Sequence, residues 1–90
     1  MTEWLAVARS GRVVRRVRAR VLSRLSDRET DVERVGRVWD VAAWRFELTV
    51  RDRLVDASGV WWQVEGVHRD TDRAHMRVTA WREPPPPPAA

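Results

Sequence analysis

The sequence predicts an all-β fold, a small antiparallel β-barrel or sandwich with a basic N-terminal arm and a Pro-rich C-terminal tail. Three observations predict it. The stretch Trp44-Arg45-Phe46-Glu47-Leu48-Thr49-Val50-Arg51 alternates apolar and polar residues without a break, the period of a half-buried strand. Residues 53 to 82 hold short runs separated by turn-forming residues, as an antiparallel meander does. Upstream, Val17-Arg18-Ala19-Arg20-Val21 alternates too, and its β-branched valines favour a strand.

Taken in order, residues 1 to 12 read as the arm, 13 to 83 as the β domain and 84 to 90 as the tail. Up to Leu25, seven arginines (Arg9, Arg12, Arg15, Arg16, Arg18, Arg20 and Arg24) stand against one acid, Glu3; from Ser26 onward ten arginines stand against twelve acids. A strand over residues 17 to 21 places Arg16, Arg18 and Arg20 on one edge or face. A helix competes there, since Arg, Ala and Leu are good helix formers and Val13, Val14, Val17, Val21 and Leu25 also suit helical spacing. Residues 26 to 31 read as a polar loop, and 32 to 39, interrupted by Gly36, fit no single state.

The alternating run should turn Trp44, Phe46, Leu48 and Val50 toward the core. After Arg53-Leu54-Val55-Asp56 comes a turn at Ala57-Ser58-Gly59, where glycine reaches turn conformations at little cost. Val60, Trp62, Val64 and Gly66 then share one face, with Trp61, Gln63, Glu65 and Val67 on the other. Residues 68 to 73 read as a loop. The last strand, 74 to 82, sets Ala74, Met76, Val78 and Ala80 against His75, Arg77, Thr79 and Trp81. The expected core is Trp44, Phe46, Leu48, Val50, Val60, Trp62, Val64, Met76 and Val78. The ending PPPPPAA lacks backbone donors at its prolines and reads as polyproline II or disordered chain.

A chain of 90 residues allows one domain, and a chain of this size buries only about 60% of the surface its unfolded form exposes. Its core must be small, which suits stabilisation by a partner or an oligomer. The absence of cysteine excludes disulfide frameworks, thiolate metal sites and a cysteine nucleophile. All 17 basic residues are arginine, and Lys, Ile, Asn and Tyr are missing. These four types have AT-rich codons, so a GC-rich genome accounts for the bias and the arginine count alone does not indicate nucleic acid. The start MTEWLAVARS has an acid where a secretory leader would be basic, and no run approaches the roughly 18 apolar residues of a membrane span. A soluble chain without a membrane partner is expected, made in the cytoplasm.

Catalytic chemistry finds little support. No GxxxxGK, GxSxG, HExxH or GxGxxG motif occurs. His68, Asp70, Asp72 and His75 have metal-ligand chemistry, but their spacing matches no zinc or calcium motif and a solvated loop has the same composition. No enzyme, cofactor, metal or small-molecule substrate is expected. A nucleic-acid reading rests on RSGRVVRRVRARVLSR and on tryptophans able to stack bases. Against it, the basic segment lacks interleaved aromatics, while five of the six tryptophans lie beyond it in the mixed-charge part.

The segment FELTVRDRLVDASGVWWQVEGVHRDTDRAHMRVTAWRE combines V-R-D-R, a short strand, a Gly turn, an aromatic-x-V-x-G-V strand and an R-V-T-A strand. It resembles the small head-closure (stopper) and head-tail joining proteins of long-tailed bacteriophages over about residues 44 to 83. The matching positions are Arg51, Arg53, Gly59, Trp62, Val64, Gly66, Val67, Val78 and Ala80; the family often has Tyr where Trp62 stands, and the N-terminal half departs further. The resemblance implies a structural virion protein of the neck, a homo-oligomeric ring between portal-side adaptor and tail-side proteins. Arg12, Arg15, Arg16, Arg18, Arg20 and Arg24 would then contact an acidic partner or DNA in the channel. The rival readings are a free Arg-rich nucleic-acid-binding β-barrel and a small adaptor or antitoxin-like interaction protein.

Adjacent Trp61 and Trp62 cannot both enter one core, because neighbouring side chains on a strand point to opposite faces. Trp62 belongs with Val60 and Val64. Trp61 shares its face with Gln63, Glu65 and, across the hairpin, Trp81. Two accounts fit it: an aromatic cross-strand pair, or, with Trp81 and Trp4, the anchor of a subunit interface. Cover by the chain's own N-terminal arm through Trp4 would look the same.

Overall fold

The computed structural model describes residues 2–29, 32–43, 45–71 and 74–84. They form six strands: β1 (Thr2–Arg9), β2 (Arg12–Glu29), β3 (Val32–Ala42), β4 (Arg53–Val55), β5 (Trp61–Arg69) and β6 (His75–Glu83). Every pairing is antiparallel, and the order β1-β2-β3-β6-β5-β4 closes on itself where β4 pairs with β1. A closed sheet leaves no edge along its pairings and encloses one core. The expected all-β class holds, and β4, β5 and β6 form the expected meander.

The first hairpin turns on Ser10 and Gly11, both at positive φ (53° and 79°), the backbone a two-residue turn between twisted strands requires. Beyond it a β-bulge between Val7 and Ala8 shifts the register. Leu5 therefore lies opposite Val17, and Trp4 opposite Arg18. Val17 and Ala19 point inward, as the strand reading of 17 to 21 predicts, while Val13 and Val14 are exposed.

Inside, Leu5, Val7, Trp39, Val41, Leu54, Met76 and Val78 are wholly buried and Trp62 and Val64 nearly so. Trp39 and Trp62 meet edge to face, with centroids 5.1 Å apart and planes at 89°, the arrangement favoured by the ring quadrupole. Val60 and Phe46 are half-buried against this cluster, and Leu48 belongs to it.

Several expectations are corrected. Residues 2 to 9 are not an arm: they are β1, held between β2 and β4, with Leu5 and Val7 in the core. Residues 45 to 52 are not a strand: Arg45 takes positive φ (58°), and the chain turns at Thr49, whose amide donates to the Asp52 side chain and whose carbonyl accepts from the Asp52 amide. They cross one end instead, dipping Leu48 into the core and leaving Val50 exposed. Residues 26 to 29 continue β2 rather than forming a loop, and 68 and 69 continue β5. A bulge between Val64 and Gly66 reverses the expected alternation, so Val67 packs on the core and Gly66 does not. Trp44, Asp72 and residues 85 to 90 of the expected tail lie outside the described residues.

Candidate functional site

Chemistry-bearing side chains gather at both ends of the closed sheet and on its outer surface. At one end the crossing segment is latched to β1. Arg9 donates from Nε to Asp52 Oδ1 at 2.7 Å and from Nη2 to Oδ2 at 2.9 Å. Arg9 Nη2 also reaches the Glu47 carbonyl at 2.9 Å, and the Thr49 amide donates to Asp52 Oδ2 at 2.9 Å. Asp52 is fully buried, the only buried charged residue among those described. The Arg9 hydrogen bond holds its carboxyl below the usual range, against burial, with the Thr49 amide helping. The guanidinia of Arg9 and Arg15 lie 5.5 and 5.1 Å from the Phe46 ring centre. Arg15 thus serves the latch rather than an outward basic row.

At the other end Asp56 organises the β4–β5 turn. Its Oδ1 accepts from the amides of Ser58 (2.9 Å) and Val60 (3.0 Å), while Oδ2 accepts from Trp62 Nε1 (3.1 Å). Gly59, at φ 81°, supplies the left-handed residue that completes this turn. Arg37 lies 4.6 Å over Trp62 and 5.8 Å from Trp39, with Nη1 3.8 Å from Asp56. Both ends thus carry an Arg–Asp pair beside aromatic rings.

The outer face carries the tryptophans that the sequence reading placed at an interface. Trp81 is covered by its own chain: it pairs across to Gly36, and a Cβ built on Gly36 would lie 2.7 and 2.9 Å from ring atoms. Arg34 stacks 4.5 Å above the ring, and the indole Nε1 donates to Glu65, which the β5 bulge swings into place. Gly36→Ala is expected to displace Trp81 and cost about 1 kcal/mol, the low end for overpacking because a half-exposed ring can swing outward. A red-shifted tryptophan emission with a small loss of denaturation midpoint checks it.

Trp61 is half-buried and lines a cleft of about 480 Å³ with Val35, Val60 and Pro84. It pairs with Glu83 and sits diagonally from Trp81, so the two share a face. Trp4, on β1, is 56% exposed. It lines a separate cleft of about 480 Å³ with Ala6, Arg16, Val55 and Ala57.

The arginine row is placed as follows. Arg16, Arg18 and Arg20 alternate with buried Val17 and Ala19 and are exposed on the outer face of β2. Arg12 stands at the β1–β2 turn, and Arg24 lies beyond a second β2 bulge, paired with Arg37. Sequence reasoning missed the neighbour of this row: Arg18 lies 5.3 Å over the Trp4 ring, an aromatic interleaved with the arginines from the adjacent strand. Across β3, Asp40 Oδ1 is 3.3 Å from His75 Nδ1. His68 and His75 sit on different strands, and among the described residues no group of three or more His, Asp or Glu is placed to hold a metal ion.

Beyond Val21, residues 23 to 29 of β2 pair with β3 alone among the described residues, and residues 32 to 35 pair with β2 alone. The two strands run on past the closed sheet as a two-stranded ribbon, with Leu22 at its root 41% exposed and Val35 39% exposed. No family model matches the chain, and no curated protein or solved structure matches it.

Proposed function

We propose that the protein is a structural component of a tailed-phage virion, a head-closure or head-to-tail connector subunit that works by assembling as a homo-oligomeric ring between portal-side and tail-side proteins. The observation that carries this reading is the β2–β3 ribbon beyond the closed sheet. A two-stranded ribbon is marginal alone in water, and its unpaired edges are templates for another chain. The ribbon adjoins the Trp61 cleft through Arg34 and Val35, so one continuous surface offers both strand edge and apolar anchor. A head-to-tail contact of this kind closes into a ring when each copy receives its neighbour's ribbon. The virion context rests on the resemblance of residues 44 to 83 to head-closure proteins, and the proposed role is one of assembly, not catalysis.

Trp61 and the ribbon, rather than Trp81, form the anchor in this reading. Trp61→Ala is expected to leave the fold and its melting intact while lowering the assembled fraction at least tenfold, as sedimentation velocity reads it; interface tryptophans commonly contribute 2 kcal/mol or more, roughly thirtyfold. Native mass spectrometry of the purified chain together with mass analysis of purified virions tests the reading as a whole. A ring that is present in particles supports it, and a chain that stays monomeric and is absent from particles overturns it. Neighbouring genes for a portal, a major capsid protein and a tail tube are the expected genomic setting.

A further inference from the structure

We propose that the outer face of β1 and β2 binds single-stranded nucleic acid, with a base held against Trp4 and the backbone phosphates running along Arg16, Arg18 and Arg20. The strand pairing makes this face. Trp4 and Ala6 lie opposite Arg18 and Arg16, so an exposed indole and a row of guanidinia occupy neighbouring strands of one surface. The arginines recur every second residue, about 6.7 Å apart along the strand. None of the three has an ion pair to a carboxylate among the described residues.

Three features select a single strand. The cleft beside Trp4 holds about 480 Å³ and is walled by Ala6, Val55 and Ala57 with Arg16 at its rim. Such a hollow admits an unstacked base, whereas a duplex keeps its bases paired and stacked and would leave the indole unused. Arg18, already lying over the Trp4 ring, adds a cationic plane to the platform. The acid in the cleft wall, Asp56, has Oδ1 engaged by two backbone amides and Oδ2 by Trp62 Nε1, so its charge is held by its own turn. Asp40, the acid of the neighbouring β3 row, lies opposite Arg20, with its Oδ1 3.3 Å from His75 Nδ1. A purely acidic protein partner would use the arginines but not the indole-walled cleft. This inference does not rest on ring assembly.

The test is fluorescence anisotropy with end-labelled oligothymidylate, oligouridylate, a duplex of equal length and polyglutamate, across a salt series. Both single strands are expected to bind, the ratio between them telling DNA from RNA. Their affinity should fall with salt at a log–log slope near −2, about 0.7 for each of three phosphates neutralised. Trp4→Ala is expected to weaken binding about tenfold, with Trp4→Leu read instead if circular dichroism shows the alanine variant unfolded. Replacing Arg16, Arg18 and Arg20 together by Ala should abolish most of the salt slope. The charge-matched control, Arg45, Arg51 and Arg82 to Ala, should retain it. Binding of the duplex or polyglutamate as tightly as the single strands overturns the proposal. So does equal loss in the control triple, or unchanged affinity in a folded Trp4 variant.

Discussion

Trp62→Ala is expected to unfold the protein at ordinary temperature, with a loss of about 3 to 5 kcal/mol on the scale of buried aromatic truncations. Three contacts go at once. The indole is 2% exposed in the core, lies edge-on to Trp39 and ties its Nε1 to Asp56. Its removal opens a void under Arg37 and frees the β4–β5 turn that Asp56 organises. In a domain stabilised by roughly 0.05 to 0.15 kcal/mol per residue, that loss is a large part of the whole. Trp62→Phe isolates the polar share: it keeps most of the ring, loses the 3.1 Å bond to Asp56 and should cost about 1 kcal/mol more than the lost area alone. Urea denaturation of both variants measures the two parts, and a folded, fully stable Trp62→Ala would show that the Trp39–Trp62 contact is not the centre of the core.

Asp52→Ala should follow in size, at about 1.5 to 3 kcal/mol, the range for hydrogen bonds to charged groups. It removes two bonds from Arg9 and one from the Thr49 amide, and so releases the segment that closes one end of the sheet. The partner Arg9 is half-exposed and regains water, which keeps the loss below that of stranding a charge in the core. The pH dependence has a definite sign. Because the folded-state carboxyl titrates below its unfolded value, chiefly through the Arg9 bond, its contribution is fully present above the unfolded pKa of about 3.9. It is lost as pH falls below that value and through the folded pKa. Thermal melts from about pH 2 to 6 should show a steeper acid decline for the natural chain than for Asp52→Asn, with the two curves converging at the acid end. Parallel curves across that range would mean that the latch carries no proton-linked stability.

The two ends of the molecule differ in how far their residues announced themselves. Asp56-Ala57-Ser58-Gly59 was legible as a turn because its chemistry is local: a side-chain acceptor and a glycine able to take positive φ. The Arg9–Asp52 latch was not, because its partners are 43 residues apart and each, read alone, is an ordinary charged residue. The alternation of residues 44 to 51 turned Phe46 and Leu48 toward the core, where they pack, but also Val50, which is exposed. It could not report that Arg45 takes positive φ and that Asp52, held by Arg9 from β1, folds the chain into a turn at Thr49, which together break the extended run.

The candidate surfaces divide in the same way. Residues 16 to 20 declared an arginine face through period-2 patterning, and Trp61 declared itself the outward member of a pair. The company these residues keep was hidden by bulges. A uniform register from the Ser10-Gly11 turn, where Arg9 faces Arg12, would have set Trp4 against Val17; the bulge after Val7 sets it against Arg18 instead. The β5 bulge likewise carries Glu65 to Trp81 and turns Val67 inward.

By itself the sequence determined the β class, the meander of the C-terminal half, the alternation of residues 17 to 21 and the inward assignment of Trp62, Val64, Met76 and Val78. Each of these follows from side chains alternating along a strand or from a turn closed by neighbours, and such physics is written within a few residues. Only the tertiary structure decided that residues 2 to 9 are a core strand, that β4 closes the sheet, and that the β2–β3 ribbon runs past it. Those outcomes turn on which strands find partners and on single-residue register shifts, and a shift of one residue exchanges the two faces of a strand.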